Sequence, residues 1–214
     1  MHELRADAAA LMRELGNDFV SRQLDELQLR ELSAHLGDLV NSVRQAPPRP
    51  ALTREERFRS FQDALVEPTP DAKHRMLSDS IVSGGSNPLG LGAELWREGA
   101  TACMRATLGK AFEGAPGRAH GGVLAALLDE TMGLVNAMDG ALAYTAQLNI
   151  TYLAPAPINV PITSRASVVA REGRKVTVEG VIDAGDIVIA RATALFITVD
   201  PATFLAHNDQ TLSA

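Results

Sequence analysis

The sequence predicts an α+β domain in which one long helix lies against one face of an antiparallel sheet. A continuous helical run from Ala119 to about Ala137 supplies the helix, and it ends before Asp139-Gly140, a stop and turn signal. Two extended pieces precede this helix, within AELWREGATACMRATLG, and four strands follow it. A leucine-rich helical segment precedes the whole domain.

The strands after the helix are predicted from alternation and from glycine turns. In YTAQLNITYLAP, five residues alternate with polar ones, at the period of a half-buried strand: Tyr144, Ala146, Leu148, Ile150 and Tyr152. Three further segments follow, PITSRASVVAREG, RKVTVEGVIDAG and DIVIARATALFITV, joined by Glu-Gly and Ala-Gly turns. This spacing is typical of an antiparallel meander.

Residues 1–75 are predicted to form a helical extension, 76–200 the α+β domain and 201–214 a tail. Helical spacing runs from Ala6 to about Val43, the prolines of QAPPRP end it, and a second short helix is expected from Arg54 to Leu65. The first helix carries an apolar stripe of Leu24, Leu27, Leu32, Leu36, Leu39, Val40 and Val43. We expect the stripe to dock on the following domain or on a partner subunit, with a coiled coil or other partner-binding role as the alternative.

The composition is that of a folded globular protein: 46% of residues are hydrophobic and 21% charged. A net charge of −6 argues against nucleic acid as the main partner, because phosphate binding rests on a basic surface. The single cysteine, Cys103, cannot form an internal disulfide, and no Cys/His cluster has the spacing of a structural zinc site. With no signal-like N-terminus and no apolar run of about 20 residues, we expect a cytoplasmic protein without a membrane span or a metal.

The central helix opens on His120, Gly121 and Gly122. The first amides of a helix have no partner within it and carry the positive end of its dipole. Because the two glycines have no side chain, a ligand carbonyl can approach these amides closely, as in an oxyanion hole. The alternative is that the glycines allow tight packing on a strand and that His120 only caps the helix.

Two carboxylates, Asp129 and Glu130, interrupt the apolar run of the same helix. Their neighbours at helical spacing are mostly small or apolar residues. Because a buried carboxylate is costly unless paired, such groups are candidates for a general base, a nucleophile or a binding residue. For Glu130 the alternative is exposure at the rim of the helix.

The spacing of His120 and Asp129 predicts an assembly. Nine residues make two and a half helical turns, so the two side chains lie on opposite faces, roughly 13 Å apart along the axis. One helix cannot direct both at one carbonyl. A two-fold dimer with antiparallel helices can, by bringing the Gly121 amide of one subunit towards Asp129 of the other.

These segments resemble a known family. The run FEGAPGRAHGGVLAALLDETMG, followed by YTAQLNITYLAPAPI, EGRKVTVEGVI and ALFITV, resembles the hotdog-fold thioesterases of the PaaI-like group, most closely the THEM4-like acyl-CoA thioesterase branch. The resemblance covers roughly residues 80–200. It implies the hotdog fold, an antiparallel β-sheet wrapped around a long central α-helix, and thioester hydrolysis without a metal or organic cofactor.

The resemblance also implies roles for the site residues. An amide of Gly121 or Gly122 would polarise the thioester carbonyl, and Asp129 of the opposing subunit would act as general base or nucleophile. His120 would orient the carbonyl, and Thr145 would help to position water or the carboxylate. Many PaaI-like enzymes carry an asparagine six positions before the histidine, where this sequence has Gly114.

The basic pair Arg174-Lys175 follows a Glu-Gly turn and is a candidate for binding the phosphates of coenzyme A, with a solvated turn as the alternative. The leading functional hypothesis is a fatty acyl-CoA thioesterase acting as a homodimer or dimer of dimers. The alternatives are an aryl-CoA or acyl-carrier-protein thioesterase, a hydratase or dehydratase on the same fold, and a non-catalytic acyl-CoA-binding protein. Retention of Asp129 argues against the last of these, since a pure binder needs no buried base.

Overall fold

One antiparallel sheet organises the part of the chain that the computed structural model describes, residues 2–50 and 78–200. The sheet has six strands in the order β1-β2-β4-β5-β6-β3. The strands are β1 (Glu94–Glu98), β2 (Thr101–Thr107), β3 (Ala143–Tyr152), β4 (Pro161–Glu172), β5 (Lys175–Ala184) and β6 (Ile187–Thr198). The predicted meander of β4, β5 and β6 is confirmed. The helix expected from Arg54 to Leu65 and the tail at 201–214 lie outside the described residues.

The central helix packs across the inner face of the sheet. It runs from Gly121 to Met138, and the chain turns at Gly140, whose φ is +70°, so the predicted bounds are confirmed within one or two residues. Close packing depends on Gly180 of β5, where a Cβ would lie 3.0 Å from the Met132 sulfur and 3.1 Å from a Leu128 methyl carbon. Both side chains are fully buried. The helix therefore forms the centre of the core, with the sheet around it.

A bulge in β3 changes the predicted alternation. The register against β6 shifts between Thr145 and Gln147, which leaves Ala146 as the extra residue. Leu148 lies opposite Ala194 on the helix side, as predicted. Thr145 lies opposite the buried Phe196 and therefore also faces the helix. Strict alternation had placed Thr145 on the other face, so that part of the prediction was wrong.

The N-terminal segment forms two helices, where the sequence predicted one from Ala6 to about Val43. Helix α1 spans His2–Ser21 and helix α2 spans Glu26–Gln45. The break is stabilised by a capping box in which the Asp25 carboxylate accepts from the Gln28 amide at 2.8 Å. The Gln28 side chain accepts in return from the Asp25 amide at 3.0 Å. The central helix is called α3 from here on.

Helix α1 docks on the sheet domain through polar contacts. The Arg13 guanidinium donates to the carbonyls of Gly85 and Asn87 at 3.1 and 2.7 Å. The Asn17 side-chain oxygen accepts from the Ala111 amide at 3.0 Å. These contacts give loop carbonyls and a loop amide hydrogen-bond partners on the helix. The extension is thus attached to the domain by α1.

Helix α2 carries the predicted apolar stripe, and within the described chain it buries no residue. Leu27, Leu39 and Val43 are 65%, 61% and 68% exposed. Docking of this stripe on the sheet domain is therefore not observed within the described residues, and docking on a partner subunit or a coiled-coil or other partner-binding role stays a prediction. None of the helices in residues 2–50 and 78–200 is both long and apolar enough to cross a membrane.

Candidate active site

The first turn of α3 presents one free amide beside a capped one. His120 is the N-cap residue, and its ring Nδ1 accepts from the Gly122 amide at 3.0 Å. The Gly121 amide has no acceptor among residues 2–50 and 78–200, as expected for the first amide of a helix. The sequence left both glycines open as oxyanion donors. The cap occupies Gly122, so Gly121 is the donor available to a ligand.

The candidate base is paired with the predicted strand residue. Thr145 donates its hydroxyl hydrogen to Asp129 Oδ1 at 2.8 Å. The pair exists because the bulge at Ala146 turns Thr145 towards α3, a known use of bulges near functional sites. Asp129 is half-buried, and one of its two carboxylate oxygens is held by this hydrogen bond. This arrangement orients a carboxylate for contact with a small ligand such as water.

The two halves of the predicted site belong to one unbroken helix. Helix α3 is continuous from Gly121 to Met138, so the rise of about 1.5 Å per residue separates the Gly121 amide from Asp129 by about 12 Å along the axis. The structure thus brings Thr145 to Asp129 and His120 to Gly122, and it keeps these two pairs apart within one chain.

Glu130 has a different environment from Asp129. Its carboxylate accepts from the hydroxyls of Ser80 and Ser83 and from the Ser83 amide, the last at 3.1 Å. These bonds fix the loop that precedes β1 to the side of α3. The carboxylate proposed as a substrate-binding group is therefore engaged in anchoring this loop. Sequence reasoning missed the two serines, because no local pattern marks a pairing between segments about 50 residues apart.

The loop before His120 leaves little room for a side chain at position 114. A Cβ at Gly114 would lie 3.0 Å from the His120 Cα and 3.2 Å from its Cδ2, tighter than most real contacts, so that His120 would have to shift by a few tenths of an ångström. The adjacent Glu113 forms an ion pair with Lys110 and accepts from the Gly117 amide, and these contacts lower the pKa of Glu113. The loop thus holds His120 by close backbone contact rather than by a side chain.

The basic pair lies at the β4–β5 turn. The Arg174 guanidinium donates to the Thr198 carbonyl at 3.0 Å, and the Thr198 hydroxyl and amide donate back to the Arg174 carbonyl. Both Arg174 and Lys175 are exposed. The turn is thereby tied to the end of β6, while the Lys175 ammonium faces solvent.

The outer face of the sheet holds a separate groove. Its volume is about 550 Å³, and Arg165, Glu179, Val181 and Arg191 are among the residues that line it. Arg191 lies opposite Val181 in the β5–β6 register and alternates with the buried alanines that face α3. The sheet therefore separates this groove from the Asp129–Thr145 pair. The candidate catalytic residues lie on the inner face of the sheet.

Fold and site together define the class of protein: the described domain has the hotdog fold, with a six-stranded antiparallel sheet around a central helix. Residues 116–190 match the model of the thioesterase superfamily. A crystallised thioesterase superfamily protein superposes with a TM-score of 0.76, at 24% identity and with 90% of each chain covered. That similarity extends the shared fold beyond the matched segment.

Named relatives match a shorter stretch of sequence. The acyl-coenzyme A thioesterase THEM4 of Mus musculus is 39% identical over 92 residues, which are 42% of this chain and 40% of the relative. The bovine protein of the same name is 32% identical over 95 residues, 44% of this chain and 39% of the relative. The chain thus spans about 40% of the length of these curated relatives.

Proposed function

We propose that this protein is an acyl-CoA thioesterase that hydrolyses the thioester of a fatty acyl-CoA to the free acid and coenzyme A. The observation that carries the proposal is the 2.8 Å hydrogen bond from Thr145 to Asp129. Asp129 lies on the same helix that offers the free Gly121 amide. A pure acyl-CoA binder has no use for an oriented carboxylate. The similarity to relatives named acyl-coenzyme A thioesterase supports this substrate class.

The reaction uses one proton acceptor and one hydrogen-bond donor. Asp129 removes a proton from water as the water oxygen attacks the thioester carbon. The carbonyl oxygen becomes an oxyanion, which the Gly121 amide and the positive end of α3 stabilise. The carbon–sulfur bond then breaks, and coenzyme A leaves as a thiolate that takes up the proton from Asp129. Direct attack by Asp129 is the alternative: it would expel coenzyme A as a thiolate and form a mixed anhydride. Attack of labelled water on the Asp129 carbonyl of that anhydride would place ¹⁸O in the Asp129 side chain, which general-base catalysis does not do.

A complete site requires two copies of the chain. The Gly121 amide and Asp129 lie about 12 Å apart along one helix, too far to act on one carbonyl. In a two-fold dimer with antiparallel α3 helices, Gly121 of one chain meets Asp129 of the other, and two equivalent sites form. The exposed apolar face of α2, which includes Leu39 and Val43, supplies further surface for association.

The β4–β5 turn is the proposed contact for coenzyme A. Lys175 and Arg174 are exposed cations on a turn held by Thr198, so a phosphate can approach them without displacing an ion pair. Glu130 serves as the anchor of the loop at Ser80 and Ser83 instead of as a substrate contact. We propose that residues 1–75 form an extension, 76–200 the catalytic domain and 201–214 a tail. The buried, unpaired Cys103 supports the proposal of a cytoplasmic location.

The decisive experiment is thiol release from a panel of acyl-CoAs by the native protein and by Asp129→Asn. The panel contains short and long aliphatic chains together with benzoyl and phenylacetyl thioesters. We expect turnover of aliphatic members and at least about a hundredfold loss in the Asn variant, because a general base contributes about 10²–10⁴. Asp186→Asn is the matched control, since Asp186 is exposed in the β5–β6 turn.

Each of the other possible results of this experiment would indicate a different function or a different base. Turnover restricted to benzoyl and phenylacetyl thioesters would identify an aryl-CoA thioesterase. Binding of acyl-CoA without turnover by either protein would identify a non-catalytic binder. Equal rates for the native protein and Asp129→Asn would show that another group is the base.

A further inference from the structure

The end of β3 contacts the first turn of α3 through a tyrosine. The Tyr152 hydroxyl donates to the Gly121 carbonyl at 2.8 Å. Tyr152 lies opposite the buried Ala190 in the β3–β6 register, so its ring is on the helix side of the sheet. The ring fits against the glycine: a Cβ at Gly121 would lie 3.4 Å from the tyrosine Cζ and hydroxyl oxygen.

The Gly121 carbonyl shares its peptide unit with the Gly122 amide. That amide donates to His120 Nδ1 at 3.0 Å. A chain of two hydrogen bonds therefore runs from the Tyr152 hydroxyl through one peptide unit to the imidazole ring. A donor on a carbonyl polarises the peptide and strengthens the hydrogen bond that its N–H makes, by roughly 10–30% per bond in condensed-phase estimates.

The chain determines which ring nitrogen carries the proton. Because Nδ1 of His120 accepts a hydrogen bond, the neutral ring carries its hydrogen on Nε2. An Nε2–H group is a donor, and the thioester carbonyl oxygen is an acceptor. Since Gly121 lies beside His120 at the start of α3, its free amide and the Nε2–H group form a pair of donors at one end of the helix.

We propose that Tyr152 is a positioning residue that fixes the His120 tautomer through the Gly121–Gly122 peptide and so prepares two donors for the thioester carbonyl. The proposal rests on the acyl-CoA thioesterase function proposed above. Strand β3 then contacts both parts of the proposed site. Thr145 near its start binds the Asp129 carboxylate, and Tyr152 at its end binds the Gly121 carbonyl beside the proposed oxyanion donors. In a two-fold dimer, the β3 strand of one chain thus organises half of each active site.

The test compares Tyr152→Phe with Tyr144→Phe. Tyr144 lies on the same strand, opposite Ile197, at the other end of β3 from α3's first turn. The first readout is the ¹⁵N spectrum of the histidine rings in the full-length protein, with the His120 signals assigned from the spectrum of His120→Gln. The native protein and Tyr144→Phe should show an unprotonated Nδ1 and a protonated Nε2. Tyr152→Phe should show a larger fraction of the tautomer protonated on Nδ1, because the Gly122–His120 hydrogen bond is weakened.

The second readout is steady-state kinetics with the acyl-CoA that the native protein turns over fastest. Tyr152→Phe should lower kcat about fivefold, the effect expected for loss of one neutral hydrogen bond, with KM changed less than twofold. A residue with a purely structural role would not move the tautomer signal. An unchanged His120 spectrum in Tyr152→Phe overturns the proposal, and so does an unchanged kcat in an active enzyme.

Failure of the proposed function gives a different result. If no acyl-CoA is hydrolysed by the native protein, the thioesterase assignment is wrong whatever the spectrum shows. A native spectrum with the proton on Nδ1 contradicts the hydrogen-bond chain itself, whatever the activity. Thermal melting of both phenylalanine variants controls for folding, because loss of one hydrogen bond from a half-exposed tyrosine costs about 0.5–1.5 kcal/mol and should leave the protein folded at the assay temperature.

Discussion

Replacement of Thr145 by valine tests the contact on which the proposed base depends. Valine keeps the branched shape of threonine but removes the hydroxyl that donates to Asp129 Oδ1 at 2.8 Å. A hydrogen bond from a neutral donor to a charged acceptor contributes about 1.5–3 kcal/mol. Because Thr145 is exposed in the single chain, we take the lower end of this range. Since about 1.4 kcal/mol is a factor of ten in rate, kcat should fall about tenfold.

The assay is thiol release from a saturating aliphatic acyl-CoA, with kcat and KM measured for each variant. Thr151→Val is the matched control, because Thr151 lies on the same strand but lines the groove on the outer face of the sheet. Its kcat should match that of the native protein. Thr145→Ser keeps the hydroxyl and should recover most of the activity lost in Thr145→Val.

Two results would refute this reasoning. If Thr145→Val and Thr151→Val have equal kcat, the hydrogen bond to Asp129 does not contribute to catalysis. If Thr145→Ser is as slow as Thr145→Val, the threonine acts through packing of its methyl group instead of through its hydroxyl. A fall in kcat restricted to Thr145→Val supports the orientation of Asp129 by β3.

Three further predictions concern other parts of the molecule. Gly114→Ala should lower thioesterase kcat at least about tenfold, because its Cβ would displace His120, and native-like kcat would contradict the proposed close contact. Burial raises the pKa of the Cys103 thiol from 9.0 to about 11, so its contribution to the free energy of unfolding is complete below pH 9 and is lost as the pH rises to about 11. Denaturant titrations from pH 8 to 11 should show this loss, and Cys103→Ala should reduce it; an equal pH dependence in both proteins would exclude the thiol as the cause. Val40→Glu should weaken self-association at least about tenfold relative to Asn41→Glu, measured by sedimentation equilibrium. Asn41→Glu is the control, because it adds the same charge one position away on the exposed surface of α2. Equal association of the two variants would exclude the apolar face of α2 from the interface.

The bounds of the main elements could be read from the sequence because local signals mark them. Helix α3 begins after His120 and ends before Gly140, where a side-chain cap and a glycine of positive φ fix both ends. The break between α1 and α2 was missed, although Asp25 followed by Gln28 is a capping-box signal. The continuous leucine spacing concealed it, because two successive amphipathic helices show the same period as one.

Contacts between distant segments were harder to predict. Glu130 stood out as a carboxylate in an apolar run, but its serine partners lie about 50 residues earlier in the chain. No local pattern specifies such a pairing, since it depends on where the loop before β1 crosses α3. The contact between Tyr152 and Gly121 was missed for the same reason, because it forms only once the end of β3 lies beside the first turn of the helix.

The bulge in β3 reconciles two sequence inferences that strict alternation makes incompatible. Alternation placed Leu148 and Ile150 on the buried face, and an unbroken strand would then turn Thr145 away from the helix. The family resemblance implied that Thr145 helps to position water or the carboxylate, a role that needs its side chain on the helix side of the sheet. Both conditions hold only if one extra residue separates Thr145 from Leu148, and the register shift at Ala146 supplies it. A conflict between periodicity and a functional assignment within one strand is therefore itself a signal for a bulge beside the site.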